Sequence, residues 1–208
     1  MIPGAFMDLH AVPGDDLPFR VAAGAALRII HGASARTGVR FAIAFPGYGA
    51  DRPGAGATPL DGDRKIIGSK LRVFASGTDA LQVLMASDGA LARLKAFCVA
   101  GTVLPVDPAA VRGHEAYILR RLPSGISKKR KSISEDRQRE MREAHRAKLK
   151  ARQRGLPFLP MRSSGGAVFS LTFERVSVTP GEAEAMRDGE ANGYGLSRSE
   201  SIVALPVF

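Results

Sequence analysis

Residues 17–46 read LPFRVAAGAALRIIHGASARTGVRFAIAFP, and two different periods follow one another inside them. The first part, 17–36, has helical length and apolar residues at helical spacing, with Leu17, Val21, Leu27 and Ile30 placed to face a core. The second, VRFAIAFP at 39–46, alternates and is then stopped by proline, which predicts a strand. Upstream, MDLHAV at 7–12 alternates as a strand ahead of a PGDD break. Downstream, the Gly- and Pro-rich stretch 46–63 predicts a long loop, and KLRVFAS at 70–76 a further strand. TDALQVLMAS and ALARLKAF predict helix, with Thr78 as N-cap, and FCVAGTVLPV is again extended. The order strand, helix, strand, loop, strand, helix, strand is that of a ferredoxin-like unit covering residues 5–106.

The second half has another character. VDPAAVRGHE marks a boundary, which divides the chain into 1–110 and 111–208. After it, YILRRL reads as a strand, VFSLTFERVSV as an alternating strand with Phe169, Leu171 and Phe173 on one face, and IVALPVF as an apolar end. A Gly-rich, acidic link joins the last two. The expected class is α+β: a ferredoxin-like domain followed by a smaller domain with a short sheet and one long basic helix.

With 208 residues, 45% of them hydrophobic, the chain has enough apolar surface for a real core. Cys98 is the only cysteine, so no intramolecular disulfide is possible. The start, MIPGAFMDLH, has neither a basic leader nor a long apolar run, and no window nears a membrane span; a soluble, cytoplasmic protein is expected. Four histidines and one cysteine show no ligand spacing, so neither a metal nor another cofactor is expected.

The net charge of +10 is informative because of where it lies. Between Arg120 and Arg154 fourteen Lys and Arg stand against Glu135, Asp136, Glu140 and Glu143, while the rest of the chain balances. An imbalance confined to 35 residues points to a polyanion site. Within it, 133–154 predicts a helix. Ser132 and Glu135 have capping-box spacing, acids occupy the first turns, and Gly155 stands at the stop. Arg139, Arg142, Arg146 and Lys150 share a face, with Arg137, Lys148 and Arg152 beside it. Ile133, Met141 and Leu149 do not line up into a core stripe, so packing is not this helix's purpose. As a solvated rod it would gain only a few tenths of a kcal/mol from pairs such as Glu135 with Arg139 and Glu143 with Arg146. Facing phosphates, it would release counterions.

Three further places stand in a suggestive order: His31 in RIIHGAS, closing the first helix, Ser163 in MRSSGGA after the basic helix, and Tyr194 in GYGLS. With VRFAIAFP, the arginine-rich helix, LPF before the Arg-Ser pair, the aromatic strand and the terminal phenylalanine, this order resembles the repeat-cleaving endoribonuclease of type I-F CRISPR systems, a member of the Cas6 superfamily. The resemblance spans nearly the whole chain. It implies a RAMP-type ferredoxin-like domain and a basic helix seated in the groove of a CRISPR repeat RNA hairpin. It also implies metal-independent cleavage at the 3′ base of the stem, retention of the product, and membership of a surveillance complex with other subunits.

Carried over by motif, His31 is the general base that deprotonates a ribose 2′-hydroxyl, which attacks the adjoining phosphorus and leaves a 2′,3′-cyclic phosphate and a 5′-hydroxyl. Ser163 fixes the ribose, Tyr194 orients the histidine, and Phe169 stacks under the last base pair of the stem. Arg120, Arg121, Arg137, Arg139, Arg142, Arg146 and Lys150 meet RNA. The turn after Ser163 is about one residue short for the family, which leaves Ser163 and Ser164 both open. Leu122 stands where the family has a glutamine, and the 46–63 loop is longer than the family's, with no assigned role. On residue type alone, His31 is a helix C-terminal histidine, Ser163 a turn residue, Tyr194 and Phe169 packing residues, and His145 a solvent or phosphate contact. A second reading keeps the RNA hairpin and drops the cleavage, as in a type IV or transposon-associated complex. A third is a nonspecific nucleic-acid-binding protein.

Overall fold

Ala5, Met7 and Leu9 are buried and alternate with half-buried Phe6 and Asp8, and this period of two forms β1 (Ala5–Ala11). The structure is a computed structural model that describes residues 1–12, 18–49, 67–120, 155–163 and 165–208, together with 134, 136, 137, 139–141, 143, 144 and 147. After β1 come α1 (Phe19–Thr37), β2 (Ala42–Ala44), β3 (Lys70–Ala75), α2 (Thr78–Ala86), α3 (Ala90–Leu94), β4 (Cys98–Ala100) and β5 (Leu104–Pro105). The strands lie in the order β2-β3-β1-β4, all antiparallel, with β5 also against β1. That order, with α1 crossing from β1 to β2 and α2 from β3 to β4, is the ferredoxin-like topology. Leu27, Ile30 and Ala33 of α1 and Leu81 and Leu84 of α2 are fully buried in the core.

The second sheet contains β6 (Gly113–Leu119), β7 (Phe158–Arg162), β8 (Val168–Val178) and β9 (Leu205–Val207), antiparallel in the order β7-β8-β6-β9. One continuous cluster of buried side chains joins it to the first sheet. The Tyr117 hydroxyl donates to the Phe45 carbonyl at 2.8 Å, and the Phe45 and Phe173 rings stack at 4.7 Å. α1 touches both sheets: a Cβ at Gly24 would lie 2.3 Å from the Pro160 carbonyl oxygen of β7. Only glycine admits that approach.

Several expectations change. His31 does not close α1; the helix runs on to Thr37 and ends at Gly38, which is left-handed (φ 71°) and donates its N–H to Ser34. Val21 is 37% exposed and faces away from the core, and Leu17 lies outside the described residues. Thr78 begins α2 itself, with Gly77 as N-cap and no side-chain capping bond. β2 is shorter than 39–46, because the Phe45 carbonyl serves the Tyr48 N–H and the Tyr117 hydroxyl instead of a ladder. The stretch FLPMR, which carries no expected element, is the strand β7. Pro160 is tolerated because β7 is the outer strand of its sheet. The acidic link holds a short helix, Pro180–Ala185, opened by a capping box of Thr179 and Glu182. The Ser132–Glu135 box and most of the 46–63 loop lie outside the described residues.

Candidate active site

His31 lies seven residues after Gly24, two turns along the same face of α1. Its half-buried ring meets the loop 192–196 that follows the short helix. The His31 Nδ1 is 2.5 Å from the Gly193 carbonyl oxygen. A carbonyl only accepts, so Nδ1 carries the proton, and in the neutral imidazole Nε2 is left as the basic nitrogen. The loop is tight for a reason. A Cβ at Gly193 would sit 3.0 Å from the imidazole, and one at Gly195, which is left-handed at φ 74°, would sit 2.6 Å from the Phe41 ring. The loop also closes the outer edge of β2, where the Ile43 N–H donates to the Gly195 carbonyl at 2.9 Å.

Three rings follow one another here. Tyr194 faces His31 with centroids 4.6 Å apart at 33°, and Phe169 of β8 lies 6.1 Å from Tyr194. Tyr194 therefore meets the histidine through its ring face, and Phe169 is half-buried at the end of the row. Phe169 pairs with Met161 across β7 and β8, so Ser163, two residues on, opens the hairpin turn just beyond. There the Ser163 hydroxyl accepts the Ala167 N–H at 3.0 Å, and the Ser163 carbonyl accepts the Gly166 N–H. It makes no hydrogen bond to His31, and its geometry is that of a turn residue. Ser164 lies outside the described residues.

The basic segment meets expectation in the part that is described. Residues 136, 137, 139–141, 143, 144 and 147 are helical and exposed, Met141 at 54%. Arg137 and Arg139 are therefore open to solvent. Arg139 pairs with Asp136 at 3.3 Å; Glu135, its expected partner, is outside the described residues, as are Arg121, Arg142, His145, Arg146 and Lys150. Arg120, expected to meet RNA, is held by Glu174 through two N–H donors at 2.7 and 2.9 Å. Among the described residues no group of three or more His, Cys, Asp or Glu could hold a metal, and no helix is long and apolar enough to cross a membrane.

Sequence reasoning missed Gly193, whose contribution is a backbone carbonyl. The motif GYGLS, which begins with Gly193, was the available signal.

A ferredoxin-like sheet, a half-buried histidine held by a glycine loop and exposed helical residues that include Arg137 and Arg139 thus occur in one chain. The chain belongs to the family described as CRISPR-associated protein (Cas_Csy4), which it matches over residues 6–208. Members of that family are CRISPR repeat-cleaving endoribonucleases. No curated protein matches the sequence. Solved structures similar to it include a RAMP protein binding different RNA substrates, at 14% identity and a TM-score of 0.40 over 98% of this chain and 100% of that one. Others are a Cas6-related protein from Pyrococcus furiosus (11%, 0.39, 98% of each chain) and Thermus thermophilus Cse3 bound to an RNA representing a pre-cleavage complex (14%, 0.37, 100% of each).

Proposed function

We propose that the protein is a metal-independent endoribonuclease of the type I-F kind, which binds the hairpin of a CRISPR repeat RNA and cuts the precursor at the 3′ base of the stem. Residues 1–110 form the ferredoxin-like domain that carries the base, and 111–208 the hairpin-binding domain. The basic helix lies along the stem phosphates through Arg137, Arg139, Arg142, Arg146 and Lys150, with Arg120 and Arg121 at its foot and Phe169 under the last pair. His31 Nε2 takes the proton of the 2′-hydroxyl upstream of the scissile phosphate. The 2′-oxygen bonds to phosphorus, the bond to the 5′-oxygen breaks, and the products are a 2′,3′-cyclic phosphate and a 5′-hydroxyl. Tyr194 supports the imidazole and Ser163 the ribose. The cut hairpin stays bound, and the complex with other subunits works in the cytoplasm.

The observation that supports this reading most is the bond from His31 Nδ1 to the Gly193 carbonyl, which leaves Nε2 basic on a ring that is only half-buried. We expect cleavage of a cognate repeat hairpin in EDTA, abolished by one 2′-deoxy sugar at the cut site. His31→Ala should lower kcat about 100- to 10,000-fold with hairpin affinity kept; undiminished cleavage by that variant refutes the assignment.

One observation favours a second reading, that of a slow or inactive hairpin-binding subunit: the Ser163 hydroxyl accepts the Ala167 N–H of its own turn and has no bond to His31. Tight hairpin binding by the unaltered chain without product would decide for it.

A further inference from the structure

The loop that holds His31 is itself held by Asn192. This side chain is 5% exposed, and its Oδ1 accepts the N–H of Tyr194 at 2.8 Å and that of Leu196 at 3.3 Å. Its backbone adds two more bonds, from its N–H to the Leu196 carbonyl and from the Gly195 N–H to its own carbonyl, both 2.8 Å. Two N–H donors converging on one side-chain atom identify that atom as the amide oxygen. The amide nitrogen Nδ2 is buried and has no hydrogen-bond partner among the described residues.

The Tyr194 N–H and the Gly193 carbonyl belong to the same peptide unit. A trans peptide is a rigid plane whose N–H and C=O point in opposite directions. Asn192 Oδ1 therefore grips one end of the plate and the His31 Nδ1–H meets the other. Glycine on the near side gives this plate rotational freedom that only its hydrogen bonds remove. Drawing on the N–H also polarises the carbonyl and strengthens it as an acceptor. We propose that Asn192 is a positioning residue that, through the Gly193–Tyr194 peptide, sets the proton of His31 on Nδ1 and keeps Nε2 as the base. It touches neither the reacting atoms nor the imidazole.

Long-range 15N–1H correlation spectra of the RNA-free full chain, at a pH where imidazole is neutral, read the tautomer directly. The unaltered chain should show His31 protonated on Nδ1; protonation on Nε2 overturns the proposal whatever the cleavage result. Asn192→Ala should move the proton to Nε2 in a chain that still melts cooperatively. Asn192→Asp keeps the oxygen acceptor and exchanges the unbonded Nδ2 for a second carboxyl oxygen, so in a chain that still melts cooperatively it should restore the Nδ1–H form. An Ala variant with the original tautomer, or an Asp variant that loses it, defeats the proposal. Should the Ala variant fail to fold, the unaltered ring and the Asp variant still decide. For catalysis, the consequence rests on His31 being the base: Asn192→Ala should lower kcat about 10- to 100-fold, by analogy with the outer partners that orient metal-ligating histidines, with hairpin Kd unchanged. A chain that shows the Nδ1–H ring yet cuts no hairpin would defeat the nuclease reading and leave the tautomer assignment intact.

Discussion

Asp8 stands directly opposite Arg72 in the β1–β3 register, and the guanidinium grips its two oxygens at 2.6 and 2.9 Å, with the Lys70 ammonium at 3.2 Å. The same guanidinium lies over the rings of Phe6 and Phe208. Burial works to raise the Asp8 carboxyl, but the bonds and charges of Arg72 and then Lys70 outweigh it and hold it below the usual carboxylate range. Because the folded value is depressed, the stabilisation is complete above the unfolded value of about 3.9 and is lost as pH falls through the lower folded one. Asp8→Asn should therefore melt earlier than the unaltered chain at pH 7, and the gap should close in acid. A gap that persists undiminished at the lowest pH at which both fold would show that the charge is not its source. Sequence could name Asp8 as a strand residue, but not Arg72, 64 residues away, as its partner. The same holds at the candidate site, where His31 and Tyr194 were legible by motif and the Gly193 carbonyl was not, since every residue has one.

Among the elements, the basic helix and α1 are opposites. α1 buries Leu27 and Ile30 completely, and its apolar spacing announced this, although Val21 was assigned to the wrong side. Packing on two sheets at once shifts the buried face away from a simple stripe. The basic helix buries none of its described side chains, so Arg137 and Arg139 contribute little to folding. Replacing Arg137 and Arg139 by Gln should leave Tm nearly unchanged, as exposed substitutions usually stay within about 0.5 kcal/mol. Hairpin affinity should fall, and its dependence on salt should flatten by about 0.7 to 0.9 in logarithmic slope for each phosphate that is no longer neutralised. Unchanged affinity and slope, measured over a salt series, would take the helix out of the interface. The short helix at Pro180–Ala185 was also within reach of sequence, for Thr179 and Glu182 have capping-box spacing; the surrounding glycine and acid content hid it.

For the whole molecule, the approach that matters most is that of Gly24 to Pro160, where a helix of the ferredoxin-like sheet lies against the backbone of the other sheet. Gly24→Ala would place a methyl 2.3 Å from a carbonyl oxygen, and overpacking of this kind costs about 1–3 kcal/mol. Helix propensity alone would favour alanine by about 1 kcal/mol, so the sign of the effect tests the packing. Calorimetry should show a single transition at lower temperature, because the two sheets share one core. A raised Tm would mean that the two sheets do not press together there. The same close approach sets α1 at the height where His31 reaches the glycine loop, so the variant also disturbs the site.

Local order settled much of this protein. Periods of two and of 3.6 announced β1, α1, β3, α2 and β8, their succession implied the ferredoxin-like order, and the charge count set the basic helix apart as a rod without a core face. Those features depend on neighbours within a few residues, which a sequence displays. Tertiary structure alone decided that Gly193 turns its carbonyl to His31, that Arg120 is held by Glu174, and that α1 serves both sheets. Each joins residues far apart in the chain, and which distant backbone group meets a side chain depends on how the closed core orients every peptide plane.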